Sequence, residues 1–245
     1  EAHFANGDMK QASTFFEKAA QTKAQQPIAQ TRLAQIAMAS GDVEGGVRKL
    51  ENLAVEEGAP AQTDMALLTG YLRQGNTDKA LEVARGMVKK SPNDPMAHQA
   101  LGSVLVLKKD LPAARTAFAK ALEVNATYMP AVASLAQLDL QEGKIAEARA
   151  RFEAVLAKDP KNMPALMGLA AVMERAKAPS AEIAAVLQRA IAAQPDASGP
   201  RLALVNLYLR DRDNRSALTA AQEASAVLGQ DSSILDALGR AQLAG

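Results

Sequence analysis

Hydrophobic and polar positions repeat along this chain with a single long period, which leucine marks most clearly. Within each period, apolar residues recur at spacings of three and four, the pattern of an amphipathic helix with one buried face. The leucine series is spaced by 34 residues with one step of 35, and its members are Leu33, Leu67, Leu101, Leu135, Leu169, Leu204 and Leu238. A fixed period of this size predicts an array of repeated structural units.

Other residue types follow the same period in phases of their own. The four clearest series are Gly7, Gly41, Gly75 and Gly143; Ala12, Ala80, Ala114 and Ala148; Phe16, Phe118 and Phe152; and Pro92 and Pro160. Glycine suits the left-handed residue that follows a helix, and aspartate suits the start of the next one. The aspartates expected in that role are Asp8, Asp42, Asp78 and Asp110. Each period therefore predicts two helices joined by a short turn.

The predicted helix pairs are 27–40 with 44–57, 61–74 with 78–90, 95–108 with 111–124, 129–142 with 145–158, 163–176 with 181–193, and 198–211 with 214–228. A last helix begins at Ser232, and Glu1 is expected to lie inside an earlier first helix. The extra residue of the 35-residue step is placed in 177–180, where Pro179 opens the second helix. We expect Leu101 and Leu135 to be fully buried, and Gly102 to let paired helices approach closely.

The order of these residues within one period resembles the tetratricopeptide repeat, W-x2-L-G-x2-Y…A-x3-F…P. Leu101-Gly102 supplies the Leu-Gly pair, and Tyr71 and Tyr208 stand four residues after their leucines. The chain has no Trp, and His98 stands in one of the Trp positions, where we expect it to pack between helices. The resemblance implies an all-α fold: a right-handed superhelical solenoid of antiparallel helix pairs, with the first helix of each pair on the concave side.

On this basis the chain is predicted to be one tetratricopeptide solenoid over residues 1–245 and a fragment of a longer repeat protein. Its divisions are a partial repeat 1–26, repeats 27–60, 61–94, 95–128, 129–162, 163–197 and 198–231, and a half repeat 232–245. Solenoid ends normally carry a polar capping repeat, and neither end has one in this sequence. End-to-end self-association of the uncapped repeats is therefore expected.

Composition narrows the function without naming it. The formal net charge is +1, which provides no basic footprint for nucleic acid, and no run of apolar residues is long enough for a membrane span. Cysteine is absent, the only histidines are His3 and His98, and neither a Walker A motif nor a GxGxxG motif occurs. We therefore expect no catalytic site, no metal site and no cofactor, and a protein or peptide as the partner.

The candidate binding surface is the exposed side of the first helices, which we call the first-helix face. It is rich in Met, Gln and small residues, a composition that suits adaptable protein binding. Its predicted members are Gln35, Met38, Met65, Thr69, Leu72, Met96, Gln99, Ser103, Val106, Gln137, Leu140, Met167 and Asn206. The lysines of turns and second helices are expected to be solvated charges: Lys79, Lys89, Lys90, Lys108, Lys109 and Lys120.

Four stretches, 129–144, 148–162, 200–210 and 238–245, resemble the large repeat lipoproteins of the bacterial exosortase (PEP-CTERM) sorting system. That resemblance implies a lipid-anchored protein of the bacterial cell envelope or periplasm that acts as a non-catalytic scaffold in exopolysaccharide export or protein sorting. A cytoplasmic location stays open. The alternative function is the repeat region of a carbohydrate-handling or glycosyltransferase-associated protein, although the aromatic residues that a sugar would need stand mostly in packing phases.

Overall fold

The computed structural model describes residues 9–22, 25–56 and 59–244. These residues form fourteen helices and no strand, so the all-α prediction is confirmed. The helices are α1 (Met9–Ala19), α2 (Gln26–Ala39), α3 (Val43–Ala54), α4 (Ala61–Arg73), α5 (Thr77–Lys90), α6 (Pro95–Leu107), α7 (Leu111–Val124), α8 (Met129–Gln141), α9 (Ile145–Lys158), α10 (Met163–Arg175), α11 (Ser180–Ala193), α12 (Ser198–Arg210), α13 (Asn214–Leu228) and α14 (Ser232–Ala244).

The predicted helix bounds agree with these to within one residue, except that α3 ends at Ala54 rather than at 57. The expected helix around Glu1 and the roles given to Gly7 and Asp8 lie outside the described residues. Even-numbered helices are the first members of the predicted pairs, and odd-numbered helices are the second members.

The chain divides into two compact units, residues 1–125 and 126–245. We call them unit 1, with helices α1 to α7, and unit 2, with helices α8 to α14, and each is described by itself. Within each unit, every helix packs against the helix that follows it in sequence. The continuity of a single solenoid over residues 1–245, and the repeat boundaries, stay predictions.

The turn inside each helix pair is the same in both units. The residue two positions beyond the first helix has a positive φ: Gly41, Gly75, Lys109, Gly143, Lys177 and Arg212. The next N–H reaches back to a carbonyl of the helix in every case, for example from Asn76 to Tyr71 at 2.8 Å and from Asp213 to Tyr208 at 2.9 Å. This is the hydrogen bond of a Schellman motif, and it satisfies a carbonyl that the helix end would leave open.

In most of these turns the same residue that closes the first helix also caps the second. Asp42, Asn76, Asp110 and Asp213 each accept a hydrogen bond from a backbone N–H three residues later. Two turns differ. Lys144 closes α8 and stands at the N-cap position of α9, but its side chain makes no capping hydrogen bond. The other is the turn with the extra residue. There Ala178 closes α10, through its N–H to Met173, and Pro179 occupies the N-cap position of α11. The extra residue therefore separates the closing residue from the capping residue, and both helices keep their geometry.

Three of these left-handed positions carry a side chain, which makes them targets for stabilisation. Replacing Lys109 by glycine is expected to stabilise unit 1 by about 1 kcal/mol, because a left-handed conformation is strained for residues with a Cβ. The reciprocal change, Gly75→Lys, is expected to cost a similar amount, about 1 kcal/mol. Urea unfolding midpoints measured at unchanged slope check both values. Equal stability of the two variants would contradict this account of the turn.

In unit 1, one close contact between helices is made by a glycine facing an aromatic ring. A Cβ added to Gly102 would lie 2.3 Å from Cε1 of Phe118, a side chain that is only 1% exposed. The expectation that Gly102 permits close approach is therefore confirmed. The expectation for Leu101 is wrong, because this side chain is half-buried. Since Phe118 sits directly over Gly102, the tightest part of the interface falls one position beyond the leucine.

Unit 2 has a glycine–ring contact of a different kind, between successive pairs: Phe152 of α9 faces Gly168 of α10, at 2.3 Å from the position of an added Cβ. Leu135 is 2% exposed here, as predicted. The core also encloses a charge. Asp139 of α8 is 1% exposed, and it accepts a hydrogen bond from Nε of Arg151 on α9. Because Asp139 stands in the register of Tyr71 and Leu105, a carboxylate occupies a position that other repeats fill with apolar or aromatic groups.

Two residues in the Trp position of the repeat fasten the turn that precedes their helix. A ring nitrogen of His98 lies 2.8 Å from the carbonyl of Pro92, and the guanidinium of Arg201 donates to the carbonyl of Pro195 at 3.0 and 3.2 Å. His98 is 9% exposed, so the expectation that it packs among helices holds, and the hydrogen bond adds a second role. Both bonds span six residues and satisfy a carbonyl that no helix uses.

Candidate functional site

Neighbouring first helices lie side by side within each unit. In unit 1, the hydroxyl groups of Thr31 on α2 and Thr63 on α4 are 2.8 Å apart and buried. Ala61 and Asp64 of α4 line one small cleft together with Ala97 of α6. In unit 1, α2 and α4 are therefore in direct contact, and a cleft that the end of α5 also lines separates α4 from α6.

The structure places most predicted members of the first-helix face at the surface. The exposed members are Thr69, Met96, Ser103, Gln137 and Asn206, and the half-buried members are Gln35, Met65, Leu72, Gln99, Val106, Leu140 and Met167. The members of unit 1 run from Gln35 to Val106, and those of unit 2 are Gln137, Leu140, Met167 and Asn206.

Met38 differs from the other members because its side chain points into the core and is 4% exposed. A Cβ added to Gly46 on α3 would lie 2.4 Å from Cγ of Met38, and one added to Gly70 on α4 would lie 3.0 Å from its sulfur. The side chain of Met38 therefore fills the space that two glycines leave between three helices. It contributes packing rather than binding surface.

The first-helix face of unit 1 combines apolar and uncharged polar members, and several of its polar groups already have partners. The hydroxyl of Thr69 donates to the carbonyl of Met65 at 2.9 Å, and the amide of Gln99 donates to the hydroxyl of Ser103 at 3.3 Å. An apolar partner that covers these groups leaves their hydrogen bonds in place, which avoids the usual cost of burying polar atoms.

Two further apolar residues belong to this surface, and the sequence prediction missed them. Ile28 on α2 is 51% exposed and Leu107 on α6 is 56% exposed. Ile28 stands in the same register as Met96, two repeats earlier, so the register could have identified it. Leu107 is the last residue of its helix, and at a helix end the spacing of apolar residues does not predict whether a side chain is buried or exposed.

The first helices of unit 2 carry charged side chains beside the uncharged members of the face. Arg210 on α12 reaches Glu174 on α10 at 3.5 Å, and Arg240 on α14 donates to Asn206 on α12 at 3.2 Å. Asp236 pairs with Arg240 within α14 at 3.0 Å. These bonds join successive first helices laterally, so the polar groups on this face are engaged with one another.

The lysines of the second helices and turns are less free than predicted. Lys90 pairs with the largely buried Asp64 at 2.9 Å, because Asp64 lies at a helix start against the end of α5. Lys79 pairs with Glu51, Lys108 with Asp78, and Lys120 with Glu123. Lys79, Lys90, Lys108 and Lys120 are therefore ion-paired rather than simply solvated, and Lys90 in particular belongs to the packing of unit 1.

Unit 1 also contains a cluster of three polar side chains centred on Tyr71. Its hydroxyl donates to Glu51 at 2.5 Å, and Nζ of Lys79 lies 3.3 Å from the same carboxylate and 5.1 Å from the centre of the ring. Burial, followed by the carboxylate of Glu51, raises the pKa of Tyr71. The hydrogen bond from Tyr71 lowers the pKa of Glu51. Tyr71, Glu51 and Lys79 form a closed set, which we call the Tyr71 triad.

Within the described residues, no three His, Cys, Asp or Glu side chains gather into a possible metal site. His98 is engaged with a backbone carbonyl, and His3 lies outside the described residues. Among the described helices, none is long and apolar enough to cross a lipid bilayer.

Solved structures share this fold at low sequence identity. A tetratricopeptide repeat protein from Parabacteroides merdae aligns over 98% of this chain and 95% of its own, with 16% identity and a TM-score of 0.61. The C-terminal part of a repeat protein from Cytophaga hutchinsonii aligns over 96% of both chains at 16% identity and a TM-score of 0.59. PilW, a type IV pilus biogenesis factor, aligns over 87% of this chain and 99% of its own at 18% identity and a TM-score of 0.59.

The sequence itself matches a family model. That model, described as a tetratricopeptide repeat, covers residues 65–130 and 134–198, which is more than half of the chain. No curated protein matches the sequence.

Proposed function

The chain belongs to the tetratricopeptide repeat family, and from that premise we propose that the first-helix face of unit 1 is the surface by which it binds a protein or peptide partner. Proteins of this family are generally non-enzymatic scaffolds for protein–protein interaction. The observation that carries the proposal is the set of exposed apolar side chains on the first helices of unit 1: Ile28, Met96 and Leu107 are 51%, 37% and 56% exposed.

The chemistry of the face indicates the kind of partner that fits. Ile28, Met96 and Leu107 expose apolar side chains on α2 and α6. The polar neighbours Thr69 and Gln99 are bonded within their own helices, so they make few demands on the partner. An apolar segment of the partner is favoured, since it would remove these exposed apolar side chains from water.

For the cellular role, we propose a scaffold of the bacterial cell envelope or periplasm that serves exopolysaccharide export or PEP-CTERM protein sorting, lipid-anchored in its full-length form. The resemblance of 129–144 and 148–162 to the exosortase-associated repeat lipoproteins supports this role. Self-association is a second proposed contact, because α14 exposes Leu235 and Leu243 to 48% and 90%.

The test introduces three carboxylates at exposed positions of the face in unit 1. The variant Thr69→Glu, Met96→Glu, Ser103→Glu is expected to weaken binding at least about tenfold, because each carboxylate would be covered by an apolar partner without a counter-charge. The positions are exposed in the free protein, so helicity measured by circular dichroism should be unchanged. Binding is measured by quantitative pulldown from separate envelope and cytosolic fractions of cells that encode the chain.

The matched control adds the same charge to second helices of unit 1. Thr14→Glu, Asn52→Glu, Thr116→Glu changes three exposed positions on α1, α3 and α7. Partners that the control retains and the face variant loses support the proposed surface. Partners that the control loses and the face variant retains place the binding surface on the second helices. Partners found only in the cytosolic fraction would contradict the envelope role.

A further inference from the structure

Unit 2 contains a cleft between the second helices α11 and α13, with α12 at its base. The volume of the cleft is about 220 Å³, below the roughly 300–1,000 Å³ of pockets that hold drug-sized ligands. The polar groups around it are Gln188, Tyr208, Arg215, Ser216, Thr219 and Glu223. A space of this size suits a molecule no larger than a single ring with its substituents.

The residues at the equivalent repeat positions in unit 1 form the Tyr71 triad. Tyr208 stands four residues after Leu204, as Tyr71 does after Leu67, and Gln188 and Ser216 stand at the spacings that Glu51 and Lys79 have from Tyr71. Where unit 1 has a carboxylate and an ammonium bonded across the tyrosine, unit 2 has an uncharged amide and a hydroxyl. Two neutral residues thus replace the ion pair that closes this place in unit 1.

The replacement leaves hydrogen-bonding groups without protein partners. Among the described residues, none hydrogen-bonds the hydroxyl of Tyr208 or the amide of Gln188, whereas the hydroxyl of Tyr71 donates to Glu51 at 2.5 Å. Tyr208 is half-buried, and it packs against the core formed by Val205, Ala217 and their neighbours. The cleft therefore offers one aromatic wall, held by the core, together with donors and acceptors that solvent or a ligand must satisfy.

The charges around the cleft define the ligand further. Arg215 and Glu223 lie on α13 and balance each other, so a ligand with a net charge gains nothing overall. They are eight residues apart, which is about 12 Å along a helix. The hydroxyl groups of Ser216 and Thr219 lie between them. Thr219 donates to the carbonyl of Arg215 at 3.0 Å, and the side chain of Ser216 is bonded to Asp213, so each hydroxyl oxygen is left to accept a hydrogen bond from a ligand.

We propose that this cleft binds one residue of a neutral carbohydrate, with the ring against Tyr208 and its hydroxyl groups bonded to Gln188, Ser216 and Thr219. A sugar combines an apolar ring face with several uncharged donors and acceptors, which is the combination that the cleft presents. The site is independent of the first-helix face of unit 1, so the proposed protein scaffold and this sugar site can fail separately.

The direct test titrates neutral sugars into the full chain. The probes are the methyl glycosides of glucose, galactose, mannose and xylose, together with N-acetylglucosamine. Saturable shifts of backbone amide signals on α11 and α13, in the millimolar range and for at least one sugar, are expected. Because the chain has three Tyr and no Trp, tyrosine fluorescence gives a second readout with few contributors. The absence of a saturable response to every probe would overturn the proposal.

The decisive variant rebuilds the triad of unit 1 inside unit 2. Gln188→Glu with Ser216→Lys is expected to form an ion pair across Tyr208, as Glu51 and Lys79 do across Tyr71. This pair would occupy the cleft, so sugar affinity should fall at least about tenfold. The matched control, Gln194→Glu with Gln222→Lys, places the same charges on or beside α11 and α13 at exposed positions outside the cleft. Its affinity should equal that of the unchanged chain.

If thermal unfolding shows that the double variant does not fold, Ser216→Lys alone serves as the second variant. Lys79 occupies the equivalent capping position in unit 1, where its N–H donates to Asn76 as that of Ser216 donates to Asp213, so the backbone accommodates lysine. Loss of sugar binding in a folded variant supports the cleft. Sugar binding that persists unchanged in either folded variant places the ligand elsewhere and overturns the proposal.

Discussion

Replacing Arg151 by alanine is expected to lower the free energy of unfolding by about 3–5 kcal/mol, the usual cost of removing one partner from a buried ion pair. The side chain of Asp139 is 2% exposed and that of Arg151 is 27% exposed. Without the guanidinium, the carboxylate must stay in the core without its counter-charge or draw water into the interface between α8 and α9. Urea unfolding followed by circular dichroism measures the loss.

Two comparisons separate this effect from a general loss of charge. Arg149→Ala removes an arginine from the same helix, but its pair with Glu153 is about half exposed on both sides, so the expected change is below about 0.5 kcal/mol. Asp139→Leu with Arg151→Ala restores the residues that Leu105 and Ala117 place in this register. That double variant is expected to match or exceed the original stability, as apolar replacement of buried pairs often does. A double variant as unstable as Arg151→Ala would show that packing, not charge, sets the cost.

Leu135→Ala is expected to cost about 2–5 kcal/mol, because it removes a buried side chain and leaves a cavity. Leu101→Ala changes the same residue type in the same register of unit 1, but Leu101 is half-buried. Its cost should be clearly smaller, roughly half, since less apolar area is lost and solvent fills the gap. Chemical denaturation of both variants checks the ratio, and equal costs would mean that register, rather than local burial, determines stability.

The position of the damage is also expected to differ between the two leucine variants. In an array, each unit is stabilised mainly by its neighbours, so loss at Leu135 should first expose the backbone of α8 to α10. Amide hydrogen exchange in that segment should accelerate, while α2 to α6 of unit 1 keep their protection. Uniform acceleration through both units would indicate a single cooperative transition instead.

The helices and their turns could be predicted almost completely from the sequence, because the period fixes them many times over. The same Schellman bond closes six turns, whether the left-handed residue is Gly75 or Lys109. The one extra residue could also be assigned to 177–180, since the length of a turn can change without disturbing a helix and Pro179 marks the start of the second helix there. A wrong helix boundary would have to be wrong in every repeat, and it would then disagree with the series of glycine, proline and aspartate positions.

The burial of individual side chains was harder to predict. Helical periodicity identifies the middle of a buried face, but it does not decide whether a residue at the edge of that face is buried. Met38 was assigned to the surface and lies in the core, since the glycines at positions 46 and 70 leave room that the pattern does not reveal. The pairing of Lys90 with Asp64, and the cleft beside Tyr208, depend on residues from separate helices. Such partners have no fixed spacing within one period, so only the packed structure brings them together.

The closing turn has a consequence for how such a chain can change in length over generations. Each helix pair ends its first helix and starts its second with hydrogen bonds made inside the pair, such as those from Asp110 to Leu105 and from Ala113 to Asp110. A duplicated or deleted stretch of one period therefore contains its own helix-closing and helix-capping residues, so the flanking sequence does not need new ones. Unequal recombination in the gene could add or remove binding surface in whole steps, and selection would then act on the reach of the protein separately from its ability to fold.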